Sequence, residues 1–275
     1  MVSVNTNPGA LIALQNLSQI NSDLEETQRR ISTGLEVSSA SDNPALFAIA
    51  QRQRAELGSI ESVQQGLRIA TSAVDVALAA GESISDVLVE LRSVASQAAD
   101  ASLSANDRAL LNEQFVSLRD QITRLVDSAE IGGRNLLAAG APDLSVVAST
   151  DGSDTITVAA QNFAIGGGIV NLDNTAGPLD TVAEAQAQIT AIESAIDASS
   201  SALAAIGAGG QAIELQGNLL SRISDTLEIS IGNLVDADLA RESSRLQALQ
   251  VQQQLSIQTL SIANAAPNAI LALFA

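Results

Sequence analysis

One pattern restricts the fold of this chain more than any other. Apolar and small residues recur at alternating steps of three and four from Ile60 to Ala98, and no charged residue occupies any position of this row. A pattern that persists for this many heptads predicts a continuous helix, roughly 58 Å long, that packs lengthwise against another helix. The positions are Ile60, Val63, Leu67, Ala70, Val74, Ala77, Gly81, Ile84, Leu88, Leu91, Ala95 and Ala98.

The same spacing predicts two further helices, each preceded by a capping pair, Ser104 with Asp107 and Thr181 with Glu184. Asn7-Pro8 and Asn43-Pro44 predict two more helix starts. The first of the two further helices carries Leu111, Phe115, Leu118, Ile122, Leu125 and Ala129. The second carries Ile189, Ile192, Ile196, Ser199, Leu203, Ile206, Gly210, Ile213, Gly217, Leu220, Ser224, Leu227, Ile231 and Leu234.

The middle of the chain, residues 138–180, differs from the rest. Leu144 to Ser149 and Thr155 to Ala160 favour strands, and the Gly-containing stretch between them favours a hairpin turn. We therefore expect a mainly α fold, a long antiparallel helical coiled-coil bundle with a small β-hairpin region at the tip where the chain reverses. The expected domains are residues 1–42 with 237–275, and residues 43–236.

The amino-acid composition argues against catalysis and metal binding. His, Cys, Trp and Tyr are absent, so the usual metal ligands, the thiolate nucleophile and the commonest general base are missing. We expect no enzyme activity, no cofactor and no metal. All 13 cations are Arg, and against 31 acidic residues they leave a net charge of -18. Phosphate backbones repel such a chain, and no apolar stretch is long enough for a membrane span, so we expect neither a nucleic-acid nor a membrane partner.

The C-terminal helix has two apolar faces. Leu239, Leu246, Leu249, Gln253, Ile257 and Leu260 form one stripe, and Val251, Leu255 and Ile262 form another, rotated by roughly 170°. The N-terminal helix can cover one face, which leaves the second for other copies of the chain, because exposed apolar side chains favour burial. The predicted interface residues are Leu11, Leu14, Leu17, Ile20, Leu24, Ile31, Leu246, Leu249, Val251, Leu255, Ile257, Leu260, Ile262, Ile270, Leu271, Leu273 and Phe274.

Four short motifs, in order along the chain, resemble those of bacterial flagellins. The first motif has two parts, Arg-Ile-Ser-Thr-Gly at residues 30–34 and Ser-Ala-Ser-Asp-Asn-Pro-Ala at residues 39–45. Residues 132–137 read Gly-Gly-Arg-Asn-Leu-Leu, residues 236–243 read Asp-Ala-Asp-Leu-Ala-Arg-Glu-Ser, and residues 263–268 read Ala-Asn-Ala-Ala-Pro-Asn before an apolar ending. The signature residues carried over are Arg30, Ser32, Gly34, Ser39, Ala40, Asp42, Asn135, Asp236, Asp238 and Glu242.

The resemblance implies an extracellular structural subunit of the flagellar filament, in a short form without large outer domains. It implies export in an unfolded state through the type III apparatus with an export chaperone, addition beneath a filament cap, and contact with hook-associated proteins. It also implies that the terminal helices polymerise in an inner tube. In flagellins sensed by the animal Toll-like receptor, an Arg, a Leu and a Glu stand where this chain has Glu90, Val94 and Gln114. We therefore expect poor receptor activation.

Two other functions fit parts of this pattern. A hook-filament junction protein shares the terminal motifs but stops at a ring. The cytoplasmic signalling hairpin of a chemoreceptor is also acidic and heptad-patterned, but it needs a tight helical turn where this chain has strand-like sequence.

Overall fold

A computed structural model describes residues 7–172 and 177–271, with side chains of the last helix described as far as Ala265. Five helices and two small antiparallel ladders make up these residues, which confirms the mainly α fold. The helices are α1 (Pro8–Thr33), α2 (Pro44–Ala98), α3 (Ala105–Ser128), α4 (Val182–Val235) and α5 (Leu239–Leu271). The strands are β1 (Glu130–Ile131), β2 (Arg134–Asn135), β3 (Leu144–Val147) and β4 (Thr155–Val158).

Four of the five described helices begin where the predicted caps lie. The side chains of Asn7 and Ser104 each accept a hydrogen bond of 3.2 Å from a backbone N–H in the first turn that follows. Asn43 does the same for α2. At α4, Thr181 accepts from the Glu184 N–H at 3.2 Å, and the Glu184 carboxylate accepts from the Thr181 N–H at 2.8 Å. These bonds satisfy amides that would otherwise lack partners.

The described residues form two compact units. The first takes in the chain up to Leu57 and from Asp225 onward, and the second is Gly58–Ser224. Their boundaries fall inside α2 and α4, because each of these long helices belongs to both units. The predicted functional division at residues 42 and 237 remains a prediction.

In the second unit, the predicted seam of α2 is buried. Ile84, Leu88 and Leu91 are fully inaccessible to solvent, as are Ile192 and Ile206 of α4. Burial of each such side chain stabilises the fold by about 1.5–3 kcal/mol. Two details fix the packing of α2 on α4 in this unit. A Cβ at Gly81 would overlap the side chain of Leu203, and the hydroxyls of Ser85 and Ser199 lie 3.0 Å apart.

The predicted hairpin is present as β3 paired with β4, with Leu144 opposite Val158 and Val147 opposite Thr155. It lies on both long helices of the second unit. Val146 lies 3.6 Å from the position that a Cβ at Gly66 of α2 would occupy, and Val158 packs beside Gly209 of α4.

A second, shorter ladder was not predicted. β1 pairs with β2 around a turn at Gly132-Gly133. Each strand has two residues, which is too few to show an alternating pattern.

Candidate functional site

In the first unit α1 and α5 form an antiparallel pair. The Asn7 side chain donates to the Ala263 carbonyl at 2.7 Å, and the Gln253 side chain donates to the Asn21 side-chain oxygen at 2.7 Å. Early residues of α1 thus meet late residues of α5. The terminal helices cover one another along one face each, as the two-faced pattern of α5 predicts.

Shielded side chains follow steps of three and four on both helices. Those of α1 are Ala10, Ala13, Leu17, Ile20, Leu24, Thr27 and Ile31; those of α5 are Glu242, Leu246, Leu249, Gln253, Ser256, Leu260 and Ala263. The prediction placed Leu239 and Ile257 in this stripe of α5, and that is wrong: they are 49% and 53% exposed, and Ser256 takes the shielded position instead of Ile257. Ile257 lies about 100° around the helix from Ser256, away from the α1 side.

Apolar side chains lie on the outer surface of the pair. The predicted Leu11 and Leu14 of α1 are more than half exposed. So are Val251, Leu255 and Ile262 of α5, at 56%, 57% and 67%. We call these five residues, together with Ile12 and Ile257, the outer rows. Ile12, at 59% exposed, was missed because the sequence pattern was followed along one face of α1 only.

Four predicted interface residues cannot be placed in the same way. Ile270 and Leu271 lie in the last turns of α5, where side chains are not described. Leu273 and Phe274 lie outside the described residues.

An ion-pair cluster joins α1 and α5 near their charged ends. Arg30 lies 2.6 Å from the Glu26 carboxylate and 3.3 Å from that of Glu242. The Glu242 side chain is only 9% exposed, and its second oxygen is buried with no hydrogen-bond donor among the described residues. Arg30 is therefore the cation that compensates a buried carboxylate.

The connector from α1 to α2 is held by backbone bonds to the segment between α4 and α5. Gly34 ends α1 in the left-handed conformation, with φ of 72°, and its N–H donates to the Arg30 carbonyl at 2.9 Å. Leu35 then forms an antiparallel bridge with Asp236. The Ala237 N–H donates to the Gly34 carbonyl at 2.9 Å. Two signature motifs that are distant in sequence thus meet at this point.

Asp42 closes the rest of the connector. Its Oδ2 accepts from the backbone N–H groups of Ser38 and Ser39, at 3.0 and 2.9 Å, and from the Ser38 hydroxyl at 2.9 Å. Hydrogen bonds from Ser39 and Ser38 hold the pKa of Asp42 below its ordinary value of 3.8. Ala40, another signature residue, is exposed within the loop. The sequence predicts the connector but gives no sign of this closure.

A small apolar cluster lies beneath the connector. Its buried members are Val37, Ala50, Ile231 and Val235, and the half-buried Phe47 is one of the side chains that pack against it. The cluster gathers side chains from the connector, α2 and α4 within the first unit. It therefore anchors the start of α2 to the end of α4.

The remaining signature residues end or begin elements. The Ser32 hydroxyl donates to the Arg29 carbonyl in the last turn of α1. The Asp238 carboxylate accepts from the N–H groups of Ala240 and Arg241 at 3.1 Å and so caps α5. In the second unit, the Asn135 amide donates to the Val126 carbonyl at 2.6 Å and accepts from the Leu137 N–H at 2.8 Å.

Three residues of this chain differ from those of receptor-activating flagellins, and they do not lie in one environment. Glu90 and Gln114 are exposed on α2 and α3, whereas Val94 is 2% exposed and belongs to the core of the second unit. A direct contact of Val94 with a receptor is excluded by this burial. Poor receptor activation stays a prediction, which now rests on Glu90 and Gln114.

Nothing in the described residues groups three or more acidic side chains in a way that could hold a metal ion.

By length and composition alone, α4 could cross a membrane, because an 18-residue stretch of it has a mean hydropathy of 1.2. One such helix is weak evidence, since core helices of other proteins meet the same criterion. The absence of a membrane partner therefore stays a prediction.

Comparisons with known proteins agree with the motifs. Residues 4–141 match the bacterial flagellin N-terminal helical region, and residues 189–274 match the C-terminal helical region. The flagellin FljO of Caulobacter vibrioides is 42% identical over 272 residues, which cover 99% of this chain and 98% of that protein. A flagellin of Brucella melitensis is 36% identical, covering 100% and 99%. A solved putative flagellar hook-associated protein of Vibrio parahaemolyticus, 17% identical, shares the fold with a TM-score of 0.58 over 71% of this chain and all of its own.

Proposed function

Because the chain belongs to the bacterial flagellin family and is a structural subunit of the flagellar filament, not an enzyme, we propose that it polymerises through the outer rows of α1 and α5. The single observation that carries this proposal is the exposure of the outer rows on a helix pair whose inner seam is already filled. An isolated chain leaves these side chains in water, and contact with neighbouring copies removes them from it. Each buried aliphatic side chain contributes about 1.5–3 kcal/mol.

The distribution of charged residues also supports an interface between copies on the paired segments of α1 and α5. No ionisable side chain occurs in residues 1–22 or 246–275, although the whole chain carries 44. The segments of α1 and α5 that lie side by side, joined by the Asn7 and Asn21 hydrogen bonds, fall largely within these ranges. Copies with a net charge of -18 can approach here without repulsion between nearby charges.

Several finer parts of the function remain proposals. Residues 1–42 with 237–275 form the inner layer of the extracellular filament, and residues 43–236 form the next layer outward. The chain passes unfolded through the export apparatus with a chaperone, is added under the filament cap, and meets hook-associated proteins. Family membership supports these steps.

The test places a charge in an outer row. Leu255→Asp and Ile262→Asp are compared with Gln252→Asp, which puts the same charge at an exposed polar position of α5. We expect the two outer-row variants to raise the critical concentration for growth on filament seeds by tenfold or more, since about 1.4 kcal/mol corresponds to a factor of ten. Gln252→Asp should assemble near the wild-type concentration.

Circular dichroism of the unassembled chains checks that helix content is unchanged. Normal filaments from Leu255→Asp and Ile262→Asp would contradict the proposal. Elongation of the wild-type protein on seeds without limit also distinguishes a filament subunit from a hook-filament junction protein.

A further inference from the structure

Contacts between α2 and α4 in the second unit recur at matching intervals along the two helices. Successive contacts are seven, four and seven residues apart on α2, and seven, four and six residues apart on α4. The two helices therefore keep a single antiparallel alignment over this stretch, which covers about 27 Å of α2. The contact pairs are Val74 with Gly210, Gly81 with Leu203, Ser85 with Ser199, and Arg92 with Glu193.

Two of these contacts place a branched side chain of one helix against a glycine of the other. A Cβ at Gly81 would overlap the Leu203 side chain, and a Cβ at Gly210 would lie 2.9 Å from Val74 Cγ1. The two contacts are one heptad apart, and each helix supplies one glycine and one branched side chain. Glycine weakens a helix, because it has more conformational freedom to lose on folding. Both glycines are nevertheless required here for the close approach of α2 and α4.

Two hydroxyl groups form a hydrogen-bond chain beside the Gly81 contact. The Ser85 hydroxyl donates to the Gly81 carbonyl at 3.0 Å, and it lies 3.0 Å from the hydroxyl of the fully buried Ser199. Because the proton of Ser85 is directed to Gly81, Ser199 is the donor in the second bond. A polar pair within an apolar seam favours one alignment of the helices, since a shift along the seam separates its two members.

The apolar rows of α2 and α4 do not select an alignment by themselves. Their spacing repeats, so a shift by seven residues again places apolar positions opposite one another. Leu203 distinguishes the alignments. In the two one-heptad shifts it would meet Val74 or Leu88 in place of Gly81, and both of these side chains are buried in the core. Forcing a further branched side chain into a packed site is destabilising.

We propose that the two glycine contacts, Gly81 with Leu203 and Gly210 with Val74, form a register lock that restricts α2 and α4 to one alignment as the chain folds. The register lock acts within one copy and involves no neighbouring copy. Its biological role rests on the proposed export in an unfolded state, since each exported chain then has to align helices of 55 and 54 residues. The alignment itself is a property of the isolated chain, so the register lock and assembly through the outer rows can fail separately.

Pairs of introduced cysteines report the alignment, because the natural sequence contains none. Ser85→Cys/Ser199→Cys reports the observed alignment. Leu78→Cys/Ser199→Cys and Arg92→Cys/Ser199→Cys report the two one-heptad shifts. Each variant is refolded from denaturant under reducing conditions at high dilution and oxidised, and its disulfide is identified by mass spectrometry. We expect a disulfide within the chain from the first pair and at most a trace from the other two. Equal yields from the observed and shifted pairs would overturn the proposal.

Shortening Leu203 should release the register lock. Leu203→Ala, added to the two shifted cysteine pairs, should increase their cross-linking by about fivefold or more, since no branched side chain then collides with Val74 or Leu88. Leu220→Ala is the control, because Leu220 is buried in the same row of α4 and its truncation also leaves a cavity. Unchanged cross-linking with Leu203→Ala would refute the register lock. An equal increase with Leu220→Ala would refute it too, because general destabilisation would then be the cause.

Thermal unfolding of the isolated chain tests the same contact without cysteines. Gly81→Ala should lower the unfolding temperature, because its Cβ meets Leu203. Gly217→Ala, the matched control, should raise it, because a Cβ there meets no atom within 4 Å and alanine favours the helix. Leu203→Ala gives the added Cβ room, so the effects of Gly81→Ala and Leu203→Ala should be less than additive in the double variant. Strict additivity, or a higher unfolding temperature for Gly81→Ala, would reject the contact.

Discussion

At the scale of single residues, short polar side chains decide where this chain turns. Asn7, Asn43, Ser104 and Thr181 each accept a bond from an otherwise unpaired amide, and each was predictable from its position before an apolar run. Asp42 performs the same task in the connector, with three donors on one carboxylate oxygen. Its contribution depends on the carboxyl group being ionised.

The connector should therefore weaken in acid. The folded-state pKa of Asp42 lies below its ordinary value of 3.8, so the stabilisation is complete above that value and is lost as the pH falls through the folded pKa. We expect wild type to unfold at a higher temperature than Asp42→Asn at pH 7, and the difference to shrink below about pH 4. Glu36→Gln, an exposed acid in the same connector, is the control. A difference that stays constant down to pH 2 would contradict the role of the ionised carboxylate.

At the scale of elements, the sequence predicted where helices form better than it predicted which of their residues contact each other. The seam of α2 was visible because its apolar positions form a single row. On α5 two apolar rows coexist, so spacing alone could not choose between Ser256 and Ile257 for the α1 side. Nor could it pair Arg30 with Glu242, which lie 212 residues apart. Such contacts depend on how distant elements dock, which local periodicity does not encode.

The Arg30–Glu242 contact can be measured as a coupling between α1 and α5. Arg30→Ala should destabilise the first unit by about 3 kcal/mol, because it leaves a buried carboxylate without a cation. Glu242→Leu in the same chain should restore part of this loss, since the buried carboxylate is then removed and only the more exposed Glu26 lacks its partner. Arg29→Ala, at an exposed neighbouring position, should change stability by less than about 0.5 kcal/mol. The readout is denaturant unfolding followed by circular dichroism, and equal effects of Arg29→Ala and Arg30→Ala would refute the buried pair.

At the scale of the whole molecule, charge is distributed unevenly. Residues 58–224 carry 20 acidic residues against 7 arginines, whereas the remainder carries 11 against 6. Copies that assemble through apolar surfaces bring these acidic parts together. Their mutual repulsion opposes the hydrophobic contacts, and it is the term most sensitive to solution conditions.

Salt should therefore promote assembly. The screening length falls from about 10 Å at 0.1 M salt to about 3 Å at 1 M, so repulsion between acidic copies weakens. We expect the critical concentration to fall as sodium chloride rises over this range, as measured by seeded growth. Sucrose at matched osmolality is the control, because it does not screen charge. A critical concentration that rises with salt would instead indicate that ion pairs between copies dominate.

The turn at Gly34 has a consequence for how this chain can vary. A Cβ added there would meet no atom within 4 Å, so space does not restrict the position. The backbone does, because φ of 72° suits glycine, is tolerated by asparagine, and strains other L-amino acids. Substitutions at Gly34, where the two terminal signatures meet, are thus limited by the backbone conformation and not by side-chain size. D-alanine would adopt this conformation without strain, whereas L-alanine would be strained.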